Sequence, residues 1–266
     1  MPAAPATLGN RELVQHSAKH DGTLYRNFSI LYDPEVYASR WVAYPLNEFY
    51  TSGNSGFKTF QEDPDVEGAQ TNTWSGSYGV SYSGVNYPNT VYARGHQIPA
   101  GDRTISELRE QTYYATNMTP QIQDGFNGSI WSNLETNLRN IVGKDTLYIV
   151  TGPVYQKVGG NEDVTTIVNT RDGKTLPVAN YYYKVVLKVK WSGETVTSAK
   201  AIGFWYPHTD YPKGTPFNGN STYTFIQSID QIEEWTGLDF FVNLPDDIEK
   251  AIEEDKTVTW DTFKNF

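Results

Sequence analysis

Apolar side chains at strand-like spacing dominate the chain from residue 25 to residue 46. The segments NFSILYD and VYASRWVAYPL are rich in aromatic and β-branched residues, which favour strands. Between them, Asp33, Pro34 and Glu35 form a typical turn sequence. This part of the chain is therefore predicted to form a β-hairpin.

The second half of the chain contains three further predicted strands. They are TLYIVTGPVY (146–155), NYYYKVVLKV (180–189) and TSAKAIGFWYP (197–207). Their density of Val, Ile and Tyr suits a twisted, mainly antiparallel sheet.

Helical periodicity marks three other segments. From 127 to 143, apolar residues recur every three or four positions, which predicts an amphipathic helix. Two helices are predicted near the end of the chain, 228–237 and 246–255, with Gly237 closing the first. Strands mixed with flanking helices indicate an α+β fold.

Residues 1–24 are polar and lack either period, so they are predicted to form an irregular tail. His16 and His20 have the spacing of a helical zinc pair, but no metal-binding motif accompanies them. We expect a solvated tail, followed by a single domain over residues 25–266.

Composition limits what the domain can bind. The 266 residues carry a formal net charge of −10, and 14% of them are aromatic, which indicates a folded core. An acidic protein of this kind is not expected to hold nucleic acid tightly and non-specifically, so a polyanionic substrate needs a local cluster of Arg and Lys. The absence of cysteine excludes disulfides and thiolate metal sites.

The N-terminal sequence MPAAPATLGN has neither a basic region nor an apolar stretch, so it is not a signal peptide. We nevertheless expect an exported protein, secreted, periplasmic or at the cell surface, whose signal is not in this sequence. No apolar run reaches the length of a membrane span.

The segment VYARGHQIPAGDR (91–103) combines groups that phosphodiester hydrolysis needs. His96 is suited to deprotonating water, and Arg94 presents a planar set of donors that matches phosphate. If the segment is extended, the two side chains lie on the same face, because side chains alternate along a strand. Taken alone, the triplet also fits an ordinary surface turn.

Asn127 and Glu135, on the helix predicted for 127–143, are candidate ligands for a hydrated cation. Eight residues of α-helix place them within about 80° of each other and about 12 Å apart along the axis. Mg²⁺ takes oxygen ligands and keeps several waters, so one or two protein groups suffice. The alternatives are an ordinary helix N-cap for Asn127 and a solvated helix face for Glu135.

ARGHQIPAGDR, then TNMTPQ, then NGSIWSNLE resemble the DNA/RNA non-specific endonucleases of the ββα-metal (His-Me finger) superfamily. Several motifs occur in the family's order and spacing over about residues 35–245. The resemblance implies a ββα-metal fold with a twisted, mainly antiparallel sheet flanked by helices. It also implies Mg²⁺, with Mn²⁺ as an alternative ion.

The resemblance implies roles for five residues. His96 would be the general base on water, and Arg94 would stabilise the phosphate in the transition state. Asn127 would bind the ion directly, and Glu135 would bind it through water. Asn117 would lie in the active site and support its geometry.

Other positions match the family less closely. Lys58 stands nearest to an upstream family arginine, and Arg103 and Arg139 are further candidates for substrate phosphate. Ala93 replaces the family's aspartate before Arg-Gly-His, which puts the rigidity of this loop in doubt. We expect the tyrosines of 181–183 to pack in the sheet rather than to stack on bases.

The motifs and the resemblance thus predict a metal-dependent endonuclease that cleaves DNA and RNA without sequence preference, and the resemblance implies 5′-phosphate ends. Two alternatives stay open: an inactive nuclease-like module that binds polysaccharide or another ligand, and a phosphodiesterase of narrower substrate range. Either a monomer or a homodimer is compatible with the sequence.

Overall fold

A large antiparallel sheet organises the structure, a computed structural model that describes residues 1–71, 92–143, 145–156, 158, 164–169 and 172–266. The strands are β1 (Glu12–His20), β2 (Thr23–Asp33), β3 (Ala38–Leu46), β4 (Tyr92–His96), β5 (Met118–Ile122), β6 (Leu147–Val154), β7 (Thr166–Val168), β8 (Thr175–Pro177), β9 (Tyr181–Ser192), β10 (Thr195–Pro207) and β11 (Ile226–Gln227). Seven of them form the main sheet in the order β1-β2-β3-β6-β9-β10-β11, and every neighbouring pair is antiparallel. The pairs β4–β5 and β7–β8 form two small separate sheets.

Helices cover both faces of the main sheet. They are α1 (Ser106–Gln111), α2 (Ser132–Asn140), α3 (Ile229–Thr236), α4 (Asp246–Glu253) and α5 (Trp260–Lys264), with a π-helical segment at Gln123–Trp131. The predicted β2–β3 hairpin, the three predicted later strands and the helices near the end of the chain are confirmed. Gly237 closes α3 in the left-handed region, at φ 67°, and its N–H donates to the carbonyl of Glu233.

Alternation along β9 divides the core into two layers. Tyr182 packs in the cluster that includes the π-helical segment and α2. Its neighbour Tyr183 packs in the cluster on the other face, with α3 and α4. The predicted role of these tyrosines in sheet packing is confirmed, and the segments that carry Asn127 and Glu135 pack in the first layer.

The predicted irregular tail is wrong for residues 12–20, which form the edge strand β1. β1 pairs antiparallel with β2 from Glu12 to His20. Because only part of this edge strand is covered, its sequence carries many polar residues and shows little of the alternation that identifies a half-buried strand. His16 and His20 therefore lie on a strand, not on a helix.

The predicted helix at 127–143 begins earlier and has a different first half. Residues 123–131 are π-helical, and α-helix follows only from Ser132. Gly125 lies so close to Asp210 and Tyr211 that a Cβ there would collide with them. The angular relation predicted for Asn127 and Glu135 assumed α-helix throughout, so it does not hold.

None of the helices in the described part of the chain has the length and apolar character of a membrane-spanning segment.

Candidate active site

The hairpin of β4 and β5 presents His96 and Arg94 on one face. Arg94 Cζ lies 3.7 Å from the centroid of the Phe60 ring, and the His96 ring lies 5.7 Å from the same centroid. Both side chains therefore face Phe60, which confirms that residues 94 and 96 share a face. Gly95 points to the other face, where a Cβ would collide with the Gln121 side chain.

His96 is held in its neutral form. Burial, the positive charge of Arg109 and that of Arg94 lower its pKa to about 4, and a backbone hydrogen bond at Arg94 acts weakly in the other direction. Its Nε2 atom is inaccessible to solvent and has no hydrogen-bond partner among the described residues. With the proton on Nδ1, the Nε2 lone pair is free to accept a proton.

Asn117 supports the loop after His96 rather than contacting substrate. It is completely buried, its Oδ1 accepts from Ile98 N at 2.9 Å, and its Nδ2 donates to the carbonyls of Ile98 and Thr112. The side-chain oxygen and the side-chain nitrogen are therefore both bonded to backbone atoms. The prediction of Asn117 as a catalytic residue is therefore corrected. Because its amide is bonded to backbone, Asn117 positions the loop after His96.

The pairing of β4 with β5 supplies the rigidity that was in doubt because alanine replaces the family's aspartate at position 93. β4 pairs with β5 in continuous register from Tyr92 opposite Ile122 to His96 opposite Met118. Gln97 N then donates to the carbonyl of Asn117 at 2.9 Å, which extends the connection beyond the strand. Ala93 itself is buried, so backbone pairing fixes this corner without a carboxylate.

Arg103 was predicted to contact substrate phosphate, and its burial corrects that prediction. The side chain is fully buried, with Nε 2.5 Å from Asn27 Oδ1. Its other nitrogens donate to the carbonyls of Asp102, Asn27 and Pro45, at 2.8, 2.8 and 2.9 Å. The guanidinium also lies 4.0 Å from the Tyr50 ring centroid. Arg103 thus ties the loop after the site to strands β2 and β3.

Replacement of Arg103 by lysine should lower the free energy of unfolding by about 3 kcal/mol or more. A lysine cannot reproduce four donors in a fixed plane, and each buried acceptor left unsatisfied costs about 1–3 kcal/mol. Urea unfolding monitored by fluorescence measures the change. Arg26→Lys, at an exposed position of β2, is the control and should leave the midpoint unchanged. An unchanged midpoint for Arg103→Lys would contradict the bracing role.

Glu135 belongs to a charge network with Lys184, Asp102 and Arg139. Burial raises its pKa, while the positive charges of Lys184 and Arg139 act against this and that of Asp102 acts with it. Lys184 is fully buried on β9, and burial lowers its pKa. Its Nζ lies 4.8 Å from the Trp131 ring centroid and 3.5 Å from Tyr44 Oη.

Asp102 connects this network to the loop after β4. It is buried, with Oδ2 accepting from Tyr44 Oη at 3.0 Å and Oδ1 lying 2.7 Å from Arg139 Nη1. Arg139, predicted to bind phosphate, is a quarter exposed (26%) and donates to Thr136 as well. Part of its guanidinium is therefore committed to Asp102, and a contact with substrate stays a prediction.

The donor chemistry of Asn127 and Glu135 fits a small divalent cation. Asn127 is half-buried in the π-helical segment, against which both β4 and β5 pack, and its Nδ2 lies 3.3 Å from Gln123 Oε1. An amide oxygen and a carboxylate are hard ligands of the kind that Mg²⁺ and Mn²⁺ accept. Burial disfavours the ionised form of a carboxylate, and a nearby cation stabilises that form. Glu135 therefore suits the predicted role.

A second group of possible ligands lies on the edge of the sheet. His16, Asp63 and Asp65 place one ligand-type atom each within 4.8 Å of one another. Hydrogen bonds account for the cluster, because His16 Nε2 lies 2.9 Å from Asp63 Oδ2, which also accepts from Thr116 Oγ1 at 2.6 Å. We assign it a structural role that joins β1 to the segment before Asn117.

Sequence reasoning missed two cations of the site, Arg109 and Lys184. Arg109 lies on α1, donates to the carbonyl of Ala100 at 2.7 Å and lowers the pKa of His96. Neither residue belongs to a motif, and only the packing of α1 and β9 brings them to the site. Lys58, whose Nζ lies 2.5 Å from Ser106 Oγ, is half-buried, so its predicted contact with substrate stays a prediction.

Comparisons with known proteins identify one family of nucleases. A family model described as DNA/RNA non-specific endonuclease matches residues 9–247. A nuclease of Nostoc sp. is 30% identical over 85% of this chain and 75% of its own length, and Nuclease C1 of Cunninghamella echinulata is 29% identical over 70% and 67%.

A solved structure, the crystal structure of an EndoG/EndoGI complex, matches with a TM-score of 0.59. It covers 88% of this chain and 89% of its own at 21% identity, which confirms the predicted ββα-metal fold. Because the family model spans residues 9–247, most of the chain, the chain belongs to the DNA/RNA non-specific endonucleases.

Proposed function

We propose that the protein is a Mg²⁺-dependent endonuclease that hydrolyses DNA and RNA without sequence preference, with His96 as the general base. One observation supports this most: the imidazole of His96, with Nε2 free of partners among the described residues, shares one strand face with Arg94, and Arg109 adds positive charge nearby. Neutral imidazole accepts a proton from water, and the two guanidiniums supply local positive charge in an acidic protein.

In the proposed mechanism, substrate binding brings a water to the buried Nε2 of His96, which takes a proton from it as the water oxygen attacks phosphorus. Arg94 donates to the phosphate oxygens as negative charge develops in the transition state. Asn127 would hold the ion directly and Glu135 would hold one of its waters. When bound, the ion supplies neutralisation of the leaving 3′ oxygen, so that the product carries a 5′-phosphate.

The distribution of charge supports non-specific cleavage. Arg94, Arg109 and Lys58 offer cations to the backbone of a nucleic acid, which carries no sequence information. An overall acidic surface favours release of the products. We further propose that the chain acts outside the cytoplasm, on the expectation drawn from its sequence.

Incubation with plasmid DNA and with RNA tests the proposal. We expect both to be cleaved with Mg²⁺, or with Mn²⁺, and neither in the presence of excess chelator. Product ends should accept a phosphate from polynucleotide kinase only after phosphatase treatment, because the 5′ end already carries one. No cleavage of either polymer would favour the binding-module alternative, and cleavage of dinucleotides alone would favour the narrower phosphodiesterase.

A further inference from the structure

An aromatic cluster extends from His96 to the protein surface. The Tyr113 ring lies 5.0 Å from the His96 ring and 4.9 Å from the Phe60 ring, measured between centroids. Phe57 joins the cluster edge-on, at 5.1 Å from Tyr113 and 5.7 Å from Phe60. Phe60 and Tyr113 are buried, so Phe57 is the member that faces solvent.

Phe57 is unusually open to solvent for its size. Its exposed fraction is 69%, the highest among the large apolar side chains of the described part of the chain. Single exposed apolar residues are common on protein surfaces and need no function. Phe57 differs from the others because its ring contacts with Tyr113 and Phe60 connect it to the candidate base, and Arg94 lies over Phe60.

Two cationic residues lie close to this ring, one against Phe60 and one next to Phe57 in the chain. The guanidinium of Arg94 covers one face of Phe60, the inner neighbour of Phe57. Lys58 follows Phe57 directly in the chain. An aromatic ring beside a cationic track is the arrangement with which proteins hold single-stranded nucleic acid, because bases stack on the ring while phosphates contact the cations.

The loop that carries Phe57 is fixed by hydrogen bonds to the segment before α1. Gly53 N donates to Thr104 Oγ1 at 2.9 Å, and Ser55 N donates to the carbonyl of Thr104 at 2.8 Å. Beyond Phe57, Lys58 bonds to Ser106, and Gln61 N donates to the carbonyl of Tyr113 at 3.2 Å. Hydrogen bonds thus hold the chain both before and after Phe57, which lowers the entropy lost when a base stacks on the ring.

We propose that Phe57 is a stacking platform for a nucleobase next to the scissile phosphate. The inference rests on the proposed nuclease function and adds a substrate class to it, because a base can reach the ring only when it is not stacked and paired in a duplex. Single-stranded DNA and RNA, and unpaired segments of a duplex, are then the preferred substrates. Stacking does not distinguish bases strongly, so the preference carries little sequence specificity.

Binding of a single-stranded oligonucleotide tests the platform directly. The oligonucleotide carries 2-aminopurine, whose fluorescence falls on stacking, and the protein carries His96→Ala so that the strand stays intact. Adding Phe57→Ala should raise Kd at least about 5-fold, the low end of what base–aromatic stacking contributes, and should abolish the quenching. Phe57→Trp should keep both.

Steady-state cleavage by the protein with His96 intact gives a second readout. Phe57→Ala should raise KM for single strands with little change in kcat, because the contact holds substrate and transition state alike. KM for duplex should change less, and an abasic position beside the scissile phosphate should remove the difference between Phe57→Ala and the unmodified protein. Leu24→Ala, at a position that is also largely exposed (63%), is the matched control and should change none of these values.

The outcomes separate this proposal from the proposed function. Suppose that the unmodified protein cleaves nucleic acid and that the Phe57→Ala variant binds and cleaves single strands equally well. The stacking platform is then refuted, and the nuclease assignment stands. If the unmodified protein cleaves no nucleic acid, the nuclease assignment fails, and the platform fails with it.

Discussion

Replacement of His96 by alanine should lower kcat for DNA and RNA cleavage by about 10²- to 10⁴-fold, the contribution of a general base. KM should change little, because the cations that contact the backbone stay in place. Steady-state kinetics on a fluorescent oligonucleotide measures the effect. Added imidazole should restore part of the activity, since it can occupy the space of the missing ring and accept the proton.

Two controls distinguish loss of the base from loss of structure. His20→Ala, on the edge strand β1, removes a partly exposed histidine and should leave kcat unchanged. Unfolding of His96→Ala should resemble that of the parent protein. Full activity in a folded His96→Ala variant would refute the assignment of the base.

The lowered pKa of His96 makes a separate prediction about pH. Because burial and two neighbouring guanidiniums bring this pKa to about 4, the imidazole loses its base form only as pH falls through about 4. A decline in activity on the acid side near neutral pH must therefore come from another group. Glu135, whose pKa burial raises, is the candidate in this network.

Histidine burial alone does not identify the base. His208 is also largely buried, with a pKa lowered to about 4, mainly by desolvation. Its two nitrogens, however, are both engaged, Nδ1 with the carbonyl of Ala179 and Nε2 with the N–H of Ile122, each at 2.9 Å. His208 thus anchors the start of the π-helical segment, while His96 keeps one nitrogen available.

Local sequence predicted most of the sheet because strand signals there are strong. The β2–β3 hairpin carries a turn sequence, and β6, β9 and β10 are dense in β-branched and aromatic residues. β1 was missed because an edge strand needs few apolar residues: its backbone pairs with β2 on one side only. The π-helical start before α2 was missed because apolar spacing of three and four is read with an α-helical period.

The sequence motifs indicated candidate residues of the site but not the surroundings of those residues. Strand alternation alone placed Arg94 and His96 on one face. The roles of Asn117 and Arg103 depended on burial, which the sequence around them does not reveal. Lys184 lies on β9, far along the chain, and only the sheet brings it to Glu135.

Replacement of Glu135 by glutamine should reduce the apparent affinity for Mg²⁺, or kcat/KM at limiting Mg²⁺, by about 10- to 100-fold. This is the usual effect of removing an outer partner of a metal site. Glutamine keeps the shape of the side chain but removes the negative charge that Lys184 and Arg139 stabilise. Activity titrated with Mg²⁺ at several pH values measures the change.

The pH dependence gives this prediction its sharpest form. Protonation of Glu135 also removes its charge, and its raised pKa means that a proton competes with the ion at mildly acidic pH. The unmodified protein should therefore need more Mg²⁺ as pH falls, and Glu135→Gln should show the high requirement at every pH. Glu107→Gln, a half-exposed carboxylate on α1, should retain the parent behaviour. If Glu135→Gln kept the parent's Mg²⁺ requirement and its dependence on pH, Glu135 would not hold the ion's water, and Asn127 would have to hold the ion without it.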